Sequence, residues 1–255
     1  MNDMLGPVRL VDHLSENGYQ PRSNAHSNTL CLGILEDLLH HCPRIARDAA
    51  SGDLVAALNH TVIVNYQRWN IDLALGPPPG TPTPPDVGLP IKMTVPTEIR
   101  VAIEVKGVMT EHGKARNNRL RDLQAFHGHA HLYNQKVIAA GLVVVNVSET
   151  FWSPLRDEMD VTIHRSIESL GPETIALFRN LPLRNTSSDL PGLEAIAVLV
   201  VHHDNLRTNP SVELLSYTPG ASHLIAGPPA PPVGDPLSYG TMIHRICAAY
   251  RDRWV

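Results

Sequence analysis

The sequence predicts an α/β fold, a mixed central β-sheet flanked by α-helices. Three stretches carry that prediction. Residues 99–107 (IRVAIEVKG) are a run of β-forming residues. Residues 114–134 (KARNNRLRDLQAFHGHAHLYN) place Leu120, Leu123, His127 and Ala130 on one stripe at helical spacing. Residues 136–147 (KVIAAGLVVVNV) are continuously apolar, as expected of a strand buried on both faces. Strand, helix and strand in this order predict a crossover unit with parallel neighbouring strands.

The other elements follow from the same rules. Residues 29–47 read as the first clear helix, because Leu32, Leu35, Leu38 and Leu39 share a face and Pro43 bends or ends it. Residues 52–59 read as a short helix leading into a strand at 61–69 (TVIVNYQRW). Residues 70–75 (NIDLAL) continue as a strand with Ile71, Leu73 and Leu75 on one face and Asp72 alone on the other. Residues 76–96 hold eight prolines, which excludes a regular ladder or a helix interior and predicts a surface loop. Further on, 172–180 read as a helix, 194–202 as a buried strand, 212–217 as an edge strand, 219–236 as a second proline-rich loop and 237–253 as a closing helix with a basic end. No internal repeat is apparent.

Composition sets the outer bounds. A chain of 255 residues, 43% hydrophobic, suffices for one large α/β domain. No apolar run is long enough to span a membrane, and no secretory leader is apparent at the N-terminus. Cys31, Cys42 and Cys247 lack metal-type spacing and leave an odd count, so they read as reduced, buried thiols of a cytoplasmic protein. A formal net charge of −4 leaves no overall basic footprint, although basic groups need only line one groove to meet nucleic acid.

The chemistry sits in the strand at 99–107. Period-two alternation points Val101, Ile103 and Val105 one way and Ala102, Glu104 and Lys106 the other. A carboxylate and an ammonium on so apolar a strand are costly to desolvate unless something uses them. A divalent metal with a phosphate or a water is the evident user. Asp72, on the preceding strand, is a second acid for the same purpose.

An Asp on one strand and Glu-x-Lys on a neighbouring strand, here Asp72 with Glu104-Val105-Lys106, resemble the PD-(D/E)xK nuclease superfamily. The resemblance spans roughly residues 29–147. The residue before Asp72 is Ile71, and the proline-rich insert separates Asp72 from Glu104. The resemblance implies a restriction-endonuclease-like core within a single nuclease domain. Residues 148–255 would then be a C-terminal extension for dimerisation or target recognition. It implies a Mg²⁺-dependent endodeoxyribonuclease of restriction or defence type, with Mn²⁺ as a substitute metal. Asp72, Glu104 and the Val105 carbonyl would be metal ligands, and Lys106 would sit by the attacking water or the scissile phosphate. In many members an acid on the first helix completes the site; Glu36 is that candidate and Asp37 its rival. DNA is the implied partner, and double-strand cleavage favours a homodimer with one site per strand.

Lys114, Arg116, Arg119 and Arg121 could contact phosphates, and Asn117, Asn118 and Gln124 base edges. Two rival functions share the same residues: a DNA-binding or assembly protein on a degenerate nuclease core, and a repair or recombination nuclease activated by a partner. A zinc site on His127 and His131 is a weaker reading, because Gly128 stands where a metalloprotease helix carries its acid. No nucleophile elbow or thiol-protease context is present.

Overall fold

In the computed structural model, residues 4–85, 88, 90–156, 161–206 and 222–254 are described. A seven-stranded mixed sheet runs through the molecule in the order β3-β1-β2-β4-β5-β8-β9. Its strands are β1 (Val55–Val64), β2 (Gln67–Gly76), β3 (Lys92–Met93), β4 (Val101–Val108), β5 (Ile138–Asn146), β8 (Ala195–His202) and β9 (His223–Leu224). A separate pair joins β6 (Thr150–Trp152) and β7 (Val161–Ile163). The helices are α1 (Leu5–Asn17), α2 (Ala25–His41), α3 (Pro43–Ser51), α4 (His112–Tyr133), α5 (Ile167–Arg179) and α6 (Tyr239–Arg253).

The alternation read from residues 99–107 sorts the core into two halves. Val101, Ile103 and Val105 join a cluster with α1, α2, α3 and α6 on one face. Ala102 and Val108 join α4 and α5 on the other. The crossover is as expected: β4, α4, then β5 parallel to β4, and β5 buried along its whole length. The segment after Ser148 completes the same sheet, because β8 pairs parallel to β5 and α6 packs on it. It supplies two of the seven strands, β8 and β9, at one edge of the sheet. The edge strand expected at 212–217 lies outside the described residues.

Several expectations at the N-terminal side need correction. The helix expected over 29–47 is two helices that meet at Cys42, where Pro43 begins α3. Residues 52–59 do not form a helix: Gly52, at φ 82°, ends α3 and β1 begins at Val55. The strand expected at 61–69 is a hairpin. Asn65 and Tyr66, at φ 48° and 66°, turn the chain, and β1 pairs antiparallel with β2 from Val64–Gln67 inward. Two consecutive positive φ values are the primed turn that matches strand twist. The sequence hid it because Tyr66 stands where glycine is usual. The proline-rich stretch also contributes β3, which pairs parallel with β1.

The cysteines need correction too. Cys42 and Cys247 form a disulfide with Cα atoms 5.2 Å apart, and only Cys31 is a buried free thiol. The proline-forced break after α2 turns Cys42 towards α6, which spacing 205 residues apart could not reveal. The pairing removes the argument for a reducing compartment that free thiols had offered. Among the described residues no helix is long and apolar enough to cross a membrane.

A cross-link closing so long a loop constrains the unfolded chain strongly. Cys247→Ser should lower unfolding stability by about 2–4 kcal/mol in denaturant titrations under oxidising conditions. Reductant should bring the wild type down to the variant and leave the variant itself unchanged.

Candidate active site

The site forms where β2 and β4 part. Their ladder has three rows, Leu73–Ile103, Ala74–Ala102 and Leu75–Val101. The next row would oppose Asp72 to Glu104, and it is not a backbone pair. Instead Val105 N–H donates to Asp72 Oδ2 at 2.7 Å. An Asp side chain thus takes the hydrogen bond that the strand backbone would have taken.

The parting has a local cause on β1. The β1–β2 register runs unbroken except at Asn59, opposite Asp72. Asn59 sits at φ 51°, a left-handed conformation that Asn tolerates better than most residues. Its amide is held on both sides: Asn24 Nδ2 donates to Asn59 Oδ1 at 3.1 Å, and Asn59 Nδ2 donates to Asn28 Oδ1 at 2.8 Å. Across this kink the strand's faces exchange. Trp69 and Ile71 pack on the α4 side, while Leu73 and Leu75 pack on the α2 side. The expectation that Ile71 shares a face with Leu73 therefore fails at Asp72. Beyond the kink the hairpin lies over α4, with Trp69 against Phe126 and Tyr133 and Gln67 bonded to His129.

Glu104 and Lys106 form the expected ion pair, Nζ on Oε1. Glu104 is 7% exposed, and its Oε2 is buried with no donor directed at it. Burial, and then repulsion from Asp72, push the Glu104 carboxyl up to about 7 despite the opposing pull of Lys106. Asp122 of α4 adds a weaker repulsion. Burial also raises Asp72, against the Val105 N–H, Lys106 and a hydrogen bond with Glu104, which all lower it. The thiol of Cys31 on α2, fully buried, is pushed well up, first by burial and then by both carboxylates.

Glu36 has another partner: its Oε1 accepts from Arg9 Nη2 at 2.6 Å, while its Oε2 is buried without a hydrogen bond among the described residues. Asp37 has a structural task. It accepts the N–H groups of Leu5 and Gly6, at 2.7 and 2.9 Å, and the Tyr239 hydroxyl at 2.6 Å, and so caps α1 from another helix.

The α4 residues expected at DNA divide. Arg116 pairs with Glu173 of α5 at 2.9 Å. Arg119 donates to the Gly107 carbonyl at 3.3 Å and pairs with Asp122, so it stands at the end of β4. Asn117 bonds back to Gly113 O. Lys114, Asn118, Arg121 and Gln124 are exposed. His127 and His131 are buried with ring centroids 6.2 Å apart. His131 Nε2 stands 3.4 Å from Glu194, a buried carboxylate already paired with Arg184 and Arg253. Among the described residues no group of three or more His, Cys, Asp or Glu is placed to hold a metal. Asn59, Asn24, Asn28 and Asp122 are not distinguished by the sequence, and Cys31 reads there only as a buried thiol. Only Asn59, a poor strand former that interrupts the run Leu54–Leu58 before Thr61–Val64, carried a signal.

Two carboxylates side by side, one oxygen unbonded, suit a hard cation. Mg²⁺ needs one or two protein carboxylates and completes its shell with water and phosphate oxygen. Val105 N–H and C=O leave β4 on the side where β2 has peeled away, so the carbonyl is positioned as a third oxygen. Comparisons with protein-family models, curated proteins and solved structures each found no match to this chain.

The raised Glu104 carboxyl has a stability consequence. Folded, it keeps its proton to about pH 7; unfolded, it loses it near its ordinary 4.5. The folded state binds the extra proton between these values, so the Glu104 contribution to stability falls as pH rises through that window. Buried histidines work the other way, His26 and His127 being pushed down to about 4, and they titrate alike in wild type and in Glu104→Gln. In EDTA, the stability of wild type relative to Glu104→Gln should therefore fall by on the order of 1–3 kcal/mol between pH 5 and pH 8. A difference between the two proteins that stays constant across this range would contradict the burial argument.

Proposed function

We propose that this chain is a Mg²⁺-dependent endonuclease that hydrolyses DNA phosphodiester bonds on a restriction-endonuclease-like core. The carrying observation is the opposition of Asp72 to Glu104 at the parting of β2 and β4, with Lys106 paired beside them. The order of elements supports the same reading: a helix, a hairpin whose second strand carries Asp72, the Glu-x-Lys strand, a crossover helix and a parallel strand.

Asp72 and Glu104 would hold Mg²⁺ or Mn²⁺, with the Val105 carbonyl as a further ligand. The bound ion supplies Lewis acidity at the phosphate and lowers the pKa of a coordinated water. The protein's own groups do the rest. Val105 N–H fixes the Asp72 carboxylate, so one of its oxygens is already oriented. Glu104 holds the Lys106 ammonium at the end of β4, where it can lie against phosphate and offset charge developing in the transition state. Arg119, anchored on the Gly107 carbonyl, adds a second cation at that end. A homodimer would place one such site on each DNA strand.

The test is plasmid nicking in Mg²⁺ and in Mn²⁺, on methylated and unmethylated DNA. Wild type should cut. Asp72→Ala and Glu104→Ala should each lose at least about a hundredfold in rate, and Lys106→Ala a comparable factor, with folding unchanged by circular dichroism. Glu36→Ala should cut at close to the wild-type rate. Salt-dependent binding that survives Glu104→Ala, with no cutting by wild type, would instead favour a DNA-binding protein on the same core.

A further inference from the structure

The outer half of the β1–β2 hairpin is a two-stranded ribbon with one covered and one open face. Val62, Val64, Trp69 and Ile71 cover α4. Thr61, Ile63, Arg68 and Asn70 face outward and are exposed, Ile63 by 61%, and Tyr66 is fully exposed at the turn. Nothing in the packing of the described residues requires an isoleucine and a tyrosine there.

The ribbon's charge is also one-sided. From Leu54 to Ile71 the chain holds no Asp or Glu, although the whole carries 25 acidic residues. The open face offers the Arg68 guanidinium, the Asn70 amide, whose Oδ1 accepts from the Thr61 hydroxyl at 2.9 Å, and the apolar Ile63. Among the described residues no carboxylate pairs with Arg68. These groups can bond base edges and contact a thymine methyl, and a two-stranded ribbon is of a width that the B-form major groove admits. The ribbon is also tied to the catalytic pair. Asn70 is two residues from Asp72, and Tyr66 at the turn lies about 20 Å from Asp72 at 3.3–3.4 Å per residue. Asn59 sets the angle at which the ribbon leaves the sheet.

We propose that the open face of this ribbon, Thr61, Ile63, Arg68 and Asn70 with Tyr66 at the tip, reads the major groove of duplex DNA beside the bond to be cut. This rests on the nuclease reading and names the element that would select its target. The ribbon would give base discrimination, while the exposed cations of α4 would give sequence-independent attraction.

The experiment selects cleaved sites from a randomised duplex library with wild type and with Arg68→Ala. It then measures binding of each protein to the wild-type's preferred duplex by fluorescence anisotropy in Ca²⁺. A Tyr66→Ala/Arg68→Ala double variant is measured alongside, and thermal unfolding checks that all three fold alike. Arg68→Ala should bind the preferred duplex at least about tenfold more weakly and relax selection at one or two base pairs. Its binding to unrelated duplex should change less than threefold. If the double variant keeps the wild-type affinity and selected sequence while wild type cuts, the ribbon assignment is overturned and the nuclease reading stands. If wild type neither binds nor cuts any duplex, both fall. A wild-type dimer that the double variant splits, with duplex affinity unchanged, would make the open face a contact between copies and overturn the assignment.

Discussion

One hydrogen bond organises the candidate site of this molecule: Val105 N–H to Asp72 Oδ2. A strand that leaves its neighbour exposes backbone donors, and a buried orphan donor is costly. Here the side chain of the departing strand caps the donor of the strand it leaves. The ladder can therefore end at Leu73–Ile103 without an unsatisfied N–H at Val105. The same bond brings the Asp72 carboxylate alongside Glu104. Strand separation, donor satisfaction and the meeting of two acids are one event.

That event depends on Asn59. Its left-handed backbone lets β1 and β2 turn together, so the hairpin faces α4 beyond the kink and α2 before it. Asn24 and Asn28 hold the Asn59 amide from the first turns of α2. The helix that covers one face of the sheet thus also sets the bend of the hairpin. Cys31, on the next turn, is fully buried and feels the charge of both carboxylates. Around this end the two core halves are conventional, apolar and complete. The discordant group is Glu104, a nearly buried acid beside a second acid, satisfied on one oxygen only. Proteins retain such a group where something other than folding uses it.

Much of this was legible beforehand. Alternation along residues 99–107 is a strong signal because a strand between two packed layers tolerates few polar side chains. Glu104 and Lys106 stand out against it. The continuous apolar run at 136–147 and the helix before it declared the parallel crossover for the same reason. What was misread lay where local pattern is ambiguous. The turn at Asn65-Tyr66 lacks the glycine that announces such turns, so two strands looked like one. Glu36 and Asp37 were interchangeable in sequence, since a helix pattern reports a face only to within a residue or two. The fold separated their tasks, placing one on Arg9 and the other under the N-terminus of α1.

By itself, then, the sequence determined the α/β class, the buried strands and the pairing of Glu104 with Lys106, since all three follow from side-chain period along a single segment. Tertiary structure alone decided that the Asp72 carboxylate takes the Val105 N–H where β2 and β4 part, that Cys42 meets Cys247 and that the β1–β2 ribbon folds onto α4. Those contacts join residues far apart in the chain, and their geometry is set by packing rather than period. The face exchange at Asn59 and Asp72 shows this most directly, because it is a kink of the backbone that strict alternation along β2 would have denied.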